Sequence, residues 1–361
     1  MNKIKFGLIF FLLVSVTVFG GCSTKKEKFS GKKNVKIGDG GVYKSNDGGE
    51  TWQRINKISQ EKDLSNSSIL DLAISPTNPA VIYAGTVDDG ILRSGNGGQS
   101  WATSKSDFTY VRRILLDPSN ENVLYIIARS GQEMAFFKTV DKGVNWKRLL
   151  LQRDQSQPIV LDALVDQKNP QIVYASDNTG GIYKSVDGGN EWRAIYWAEF
   201  PVTAMVMDSQ DSNRIYFATN NEKIYVTGDG GKTFKTIQTD GAIYSLAVSQ
   251  LEKGVLYVLY QGGLYVTRDG GETFQLLPTL LKPNNTVANI IKTDPVDKNI
   301  LYLIAGKVLY KTMNGGQTWR AIPLKNIPWN VSQFEISYSD HNTIFLGTYK
   351  SKRKRGIFLG F

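Results

Sequence analysis

Carboxylates are the side chains of this chain with the numbers and spacing for chemistry. Hydrolysis of a glycosidic bond uses two of them facing each other across the scissile bond. Asp88, Asp89 and Asp177 fall between short apolar runs. Asp71, Arg113 and Asp162 fall at one equivalent position in three consecutive stretches of similar sequence. A cation between two carboxylates neutralises them, so a structural cluster is the preferred expectation for these three, with a binding site as the alternative. His341 is the only histidine and lies in the polar turn SDHNT, which removes histidine triads and multi-histidine metal sites. No glycine pattern of a phosphate- or dinucleotide-binding loop opens a helix. No cofactor and no metal are expected.

A second set of carboxylates is periodic. An octapeptide recurs seven times: SNDGGETW from Ser45, SGNGGQSW from Ser94, TVDKGVNW from Thr139, SVDGGNEW from Ser185, TGDGGKTF from Thr227, TRDGGETF from Thr267 and TMNGGQTW from Thr312. Asp47, Asp141, Asp187, Asp229 and Asp269 stand at its third position, with Asn96 and Asn314 in the remaining copies. Two neutral replacements fit a hydrogen-bond acceptor inside a turn better than a calcium ligand. The copies close on Trp52, Trp101, Trp146, Trp192, Phe234, Phe274 and Trp319, which start a strand and pack on its neighbours.

The flanks of the octapeptide show what positions it. A short apolar strand precedes each copy, as in GVYKS, GIYKS and GLYVT. Further upstream, segments such as SPTNPAVIYAG, DQKNPQIVYAS and DPVDKNILYLI form a strand, a polar turn and a strand with an aromatic at a fixed offset. One repeat is therefore four antiparallel strands, with the octapeptide in the hairpin between the third and fourth. No stretch holds a helical period. Four strands every 40–50 residues, roughly, is the signature of a propeller blade, and blades must stack to bury both faces. The fold expected is an all-β, seven-bladed propeller over residues 39–361. The chain starts and stops in mid-blade, so its ends are expected to complete one another. Both Val42–Ser45 and Gly356–Phe361 offer the third strand of that shared blade.

The octapeptide matches the Asp box, and the chain resembles the Asp-box propellers of the sialidase, sortilin and photosystem II assembly-factor types. It is also similar to single propellers of xyloglucan-cleaving glycosidases. The resemblance implies the fold and leaves the function open. Sialidases carry an arginine triad and commonly an Arg-Ile-Pro motif, which is absent here. The xyloglucan enzymes place their catalytic aspartates between two propellers, and this sequence holds one.

Address and charge complete the reading. Lys3 and Lys5, an apolar run to Phe19 and the sequence Gly20, Gly21, Cys22 make residues 1–21 a signal peptide of lipoprotein type. Cys22, the sole cysteine, is the expected lipidation site, which places the protein in the cell envelope of a bacterium. Residues 22–38 are a basic tether. The net charge of +10 is concentrated there and in Lys350, Lys352, Arg353, Lys354 and Arg355. Those residues are expected to meet anionic lipid or an acidic protein; nucleic acid is a poor partner for an exported chain. Tyr196, Trp197, Phe200 and Trp329, lying outside the box position, are the candidate binding face, with Arg112 and Arg113 as polar support and Asp71 and Asp162 beside them. Phe108 and Tyr110 share the same loops. The function expected is a non-enzymatic, lipid-anchored binding or assembly module with a protein partner. The alternative is a glycoside hydrolase or carbohydrate binder of the sialidase-like superfamily.

Overall fold

A computed structural model describes residues 40–350, apart from 60–61, 105–106, 152–157 and 282–287. The segments expected to be signal peptide and tether, with Cys22, Lys352–Arg355 and the strand expected at Gly356–Phe361, lie outside the described residues. Among the described residues there is no helix.

Seven four-stranded antiparallel sheets form a ring, and the protein is a seven-bladed β-propeller. The innermost strands, which number blades 1 to 7, are Ile69–Ile74, Phe108–Leu116, Val160–Val165, Val202–Met207, Ile243–Val248, Ala288–Thr293 and Asn330–Ile336. In blades 1 to 6 the four strands follow in chain order from the axis outward. Turns between strands one and two therefore share a face with the Asp boxes. Backbone bonds confirm it: Gly97 N donates to Ala80 O, Gly188 N to Gln171 O and Gly270 N to Gly254 O. The loops between blades and between strands two and three form the opposite face.

Apolar residues of each strand face a neighbouring blade, so the core is divided. Seven clusters of buried side chains each span one seam between adjacent blades. Blade 1 meets blade 7 in the cluster that joins Val42, Leu64, Ile69 and Phe345.

Blade 7 resolves how the ring closes. Gly41–Ser45 takes the third position, paired on one side with Ile344–Tyr349 and on the other with Gln53–Arg54. The register sets Gly41 opposite Thr348 and Ser45 opposite Ile344. Of the two segments offered by the sequence, the N-terminal one fills the sheet. Its entry is held by Asn56, whose Oδ1 accepts from Val42 N at 2.7 Å and whose Nδ2 donates to Gly40 O at 2.8 Å. Gly41 has φ +95°, and a Cβ there would strike both Asn56 and Leu64 O.

Candidate functional site

The Asp boxes are built as self-contained turns. In the first, Ser45 Oγ donates to Asp47 Oδ1 at 2.7 Å while accepting from Gly49 N at 2.9 Å. Asp47 Oδ1 also accepts from Thr51 N at 2.9 Å. The asparagine copies keep the acceptor and reverse the other bond: Asn314 Oδ1 accepts from Thr318 N, and Nδ2 donates to Thr318 Oγ1, both at 2.9 Å. A neutral amide thus serves the turn as well as a carboxylate does. Backbone donation from Asn145 and the Thr139 hydroxyl hold Asp141 down at about 2. The Thr233 and Thr273 hydroxyls and amides lower Asp229 and Asp269 in the same way. Among the described residues, no group of three or more His, Cys, Asp or Glu side chains is arranged to hold a metal.

The opposite face surrounds the other mouth of the axial channel. Every innermost strand carries a register shift near its start, which turns one residue, or in blade 2 three, out of the ladder at that mouth. Leu70, Thr203, Tyr244 and Ser332 occupy this place in their blades. Blade 2 has the widest shift, between Thr109 and Arg113, with Tyr110 at φ 48° and Arg112 half-exposed at the mouth. The Arg129 guanidinium lies 5.4 Å from the Tyr110 ring centre.

One step deeper, the next residue of several strands bonds sideways to the following blade; blades 4 and 6 carry Ala204 and Ile290 there. Asp71 Oδ2 accepts from Ile114 N at 2.7 Å. Arg113 Nε stands 3.1 Å from Asp162 Oδ1, and Asp162 Oδ2 accepts from Met205 N at 2.8 Å. Gln333 Nε2 donates to Leu70 O at 2.7 Å across the seam from blade 7 to blade 1. Asp71, Arg113 and Asp162 are brought together, as bonds across seams. Burial pushes the Asp71 carboxyl up to about 7, against the opposing pull of Arg113. Below this level, Lys292 Nζ and Glu335 Oε1 pair at 2.7 Å. With Asp71, Arg113 and Tyr338 they line a channel cavity of about 210 Å³. The sequence reading missed that pair, although charges on inward strand positions were a usable signal.

Asp177 and Asp89 are also engaged, whereas Asp88 is exposed. Asp177 is fully buried; Oδ1 accepts from Thr179 N and Gly181 N, and Oδ2 from the Tyr183 hydroxyl at 2.8 Å. Asp89 holds Ser67 Oγ and Lys62.

The aromatics divide into two sectors. Tyr196 stacks on Phe234 at 4.3 Å between blades 3 and 4, so it packs a seam. Trp197 stays 47 % exposed beside Tyr183, with ring centres 5.8 Å apart. Phe200 is half-buried under Lys223, whose Nζ lies 5.8 Å from its ring and pairs with Glu199. Trp329 stands at the start of blade 7, against Gly40 and under Lys350. Blade 7 faces blades 3 and 4 across a seven-membered ring, so Trp197 and Trp329 belong to opposite edges. Phe108 is buried against Phe137 and Trp146.

The family model described as "Sortilin, neurotensin receptor 3" (Sortilin-Vps10) matches residues 40–181 and 180–277. The xyloglucanase Xgh74A of Acetivibrio thermocellus is 25% identical over 246 residues, covering 61% of this chain and 26% of the enzyme. The chain thus spans about a quarter of that relative's length. The GH74 enzyme structure of Niastella koreensis superposes with a TM-score of 0.67 at 18% identity, over 78% of this chain and 51% of that one. YCF48 from Cyanidioschyzon merolae gives 0.61 at 14% identity, over 78% and 95%. A structure described as YCF48 bound to D1 peptide gives 0.61 at 17%, over 81% and 94%. These structural likenesses show the fold.

Proposed function

This chain belongs to the Sortilin-Vps10 family, and we propose that it is a non-enzymatic, envelope-anchored propeller that holds a protein partner on the face opposite its Asp boxes. One observation carries the reading: of the carboxylates offered for hydrolysis at that face, Asp71, Asp89, Asp162 and Asp177 are bonded within or across blades and Asp88 alone is exposed, while Trp197, against the Tyr183 that bonds Asp177, remains half exposed. A general acid or nucleophile must reach substrate, and oxygens of Asp71, Asp162 and Asp177 already accept from backbone amides. An exposed tryptophan followed in the chain by Glu199 and Phe200, both in contact with Lys223, has the make-up of a protein-contact centre.

The YCF48 structure with a D1 peptide supports a propeller of this fold taking a protein segment. Export and lipidation at Cys22 belong to the proposal, and Cys22→Ala is expected to release the chain from the membrane fraction.

The test is capture of protein from detergent-solubilised host membranes by the full chain and by its Trp197→Ala variant. Loss of the captured band in the variant, with unchanged thermal unfolding, is the expected result. The xyloglucanase relatives favour glycan hydrolysis as the second reading. Release of reducing ends from xyloglucan, abolished by Asp71→Asn or Asp162→Asn, would replace the proposal with that one.

A further inference from the structure

We infer that the axial channel holds a binding site for a small organic monocation, a primary alkylammonium, seated between Asp71 of blade 1 and Glu335 of blade 7. The site lies inside the ring, apart from the exposed edge at Trp197.

The observation is a buried carboxyl that is only half used. Asp71 is 3% exposed and lines the channel cavity. Its Oδ2 accepts from Ile114 N, and its Oδ1 has no hydrogen-bond donor among the described residues. Glu335 lines the same cavity; its Oε1 accepts from Lys292 Nζ, and its Oε2 has no donor among the described residues. Buried acceptors without donors are rare in folded proteins, and these two open on one space.

Charge selects the occupant. The groups that act on Asp71 are Arg113 of blade 2, with Asp162 of blade 3 behind it, Lys292 of blade 6 and Glu335 of blade 7. Asp162 holds the Arg113 guanidinium charged. Burial, and then Glu335, pushes the Tyr338 phenol up to about 12, so it stays neutral. Arg113 with Asp162 and Lys292 with Glu335 balance as pairs, which leaves an ionised Asp71 as the one unbalanced charge of the set. Burial favours a proton there, and the carboxyl rises to about 7. A cation at Oδ1 balances the same charge and displaces that proton. The walls select an organic cation. Ala73, Leu115, Leu116 and Val165 line the cavity of about 210 Å³. A metal ion requires a shell of oxygens that these side chains do not offer. An ammonium donates to a few acceptors and carries an apolar chain behind it. The Arg113 and Lys292 side chains are 36% and 35% exposed, so the cavity is open to entry.

The experiment is calorimetric titration of the full chain with n-butylammonium, 1-butanol, butyrate and potassium ion, each in two buffers of different ionisation enthalpy. The expected result is binding of n-butylammonium alone, with about half a proton released per ligand at pH 7. Its affinity should be about thirtyfold weaker at pH 5.5 than at pH 8.5, since below 7 the ligand must displace the Asp71 proton. Asp71→Asn keeps the acceptor for Ile114 N; it should weaken binding at least about tenfold at pH 8.5 and abolish the proton release. Glu335→Gln, on another blade, should weaken binding as well. Proton release is read on the unaltered chain, so it decides the matter even where a variant fails to fold. Equal binding of 1-butanol would show an apolar cavity. Tighter binding of butyrate would show an anion site on Arg113 and Lys292, and equal binding of potassium an inorganic cation site. No binding of any probe would show a cavity that holds water only. Each of these overturns the inference, as does n-butylammonium binding that releases no proton or persists unchanged in Asp71→Asn.

Discussion

Asp71 is a carboxyl whose ionisation the fold opposes. Its folded value near 7 lies above the unfolded value of 3.8, because burial outweighs Arg113. Between those two values the folded chain keeps a proton that the unfolded chain has released. That contribution is full below about pH 4 and is lost as pH rises through 7. Asp71→Asn keeps the acceptor for Ile114 N and removes the charge. The variant is expected to flatten the dependence of the melting temperature between pH 4 and 7 and to gain stability at pH 8. Equal slopes for the two proteins in thermal scans would refute this. The box carboxylates have the opposite sign: Asp141 sits near 2, so its contribution is present above pH 4 and vanishes as pH falls through 2. A common level for Asp71, Arg113 and Asp162 was legible from spacing alone, because each blade repeats one register. Tyr196 was misleading for a physical reason. One position before an exposed tryptophan, it points to the other side of its strand and meets Phe234.

The seams between blades use a device that recurs with the repeat. Lys138 Nζ donates to Gly188 O at 2.7 Å, and the Tyr125 hydroxyl donates to the same carbonyl at 3.0 Å. Lys184 and Tyr174 repeat this at Gly230 O, at 2.9 and 3.2 Å. Each ammonium also lies 5.2 Å from its tyrosine ring. Burial lowers both lysines, yet the bond keeps them at the seam. Both residue types repeat visibly in the sequence. Their meeting partner, a carbonyl in the next box, is backbone and leaves no trace there. Lys138→Met is expected to cost about 1 kcal/mol in urea unfolding, since the tyrosine still serves the carbonyl. Lys138→Met with Tyr125→Phe orphans a buried carbonyl and should exceed the sum of the single losses. Additive losses would show that the pair does not act on one acceptor.

For the whole molecule, closure and face are what function depends on. The blade count was legible because seven boxes are seven hairpins. Which end supplies the third strand of blade 7 was not, since both candidates have strand character. The choice is made by contacts distant in sequence, between Asn56 and Gly40 and between Trp329 and Gly40. Asn56→Ala should therefore destabilise the ring by about 1–3 kcal/mol, read as a lower urea midpoint with unchanged cooperativity. The boxes occupy one face with their own polar groups satisfied. The other face keeps the exposed Trp197, the bulge residues and the channel mouth with its seam-bound charges. The most direct test of a protein partner on that face is site-specific photocrosslinking in living host cells. A photoreactive phenylalanine analogue would replace Trp197, or Val186 on the box face, where the side chain is 70% exposed. The account predicts a discrete protein adduct from position 197 and none from position 186. An adduct from position 186 with none from position 197 would contradict it.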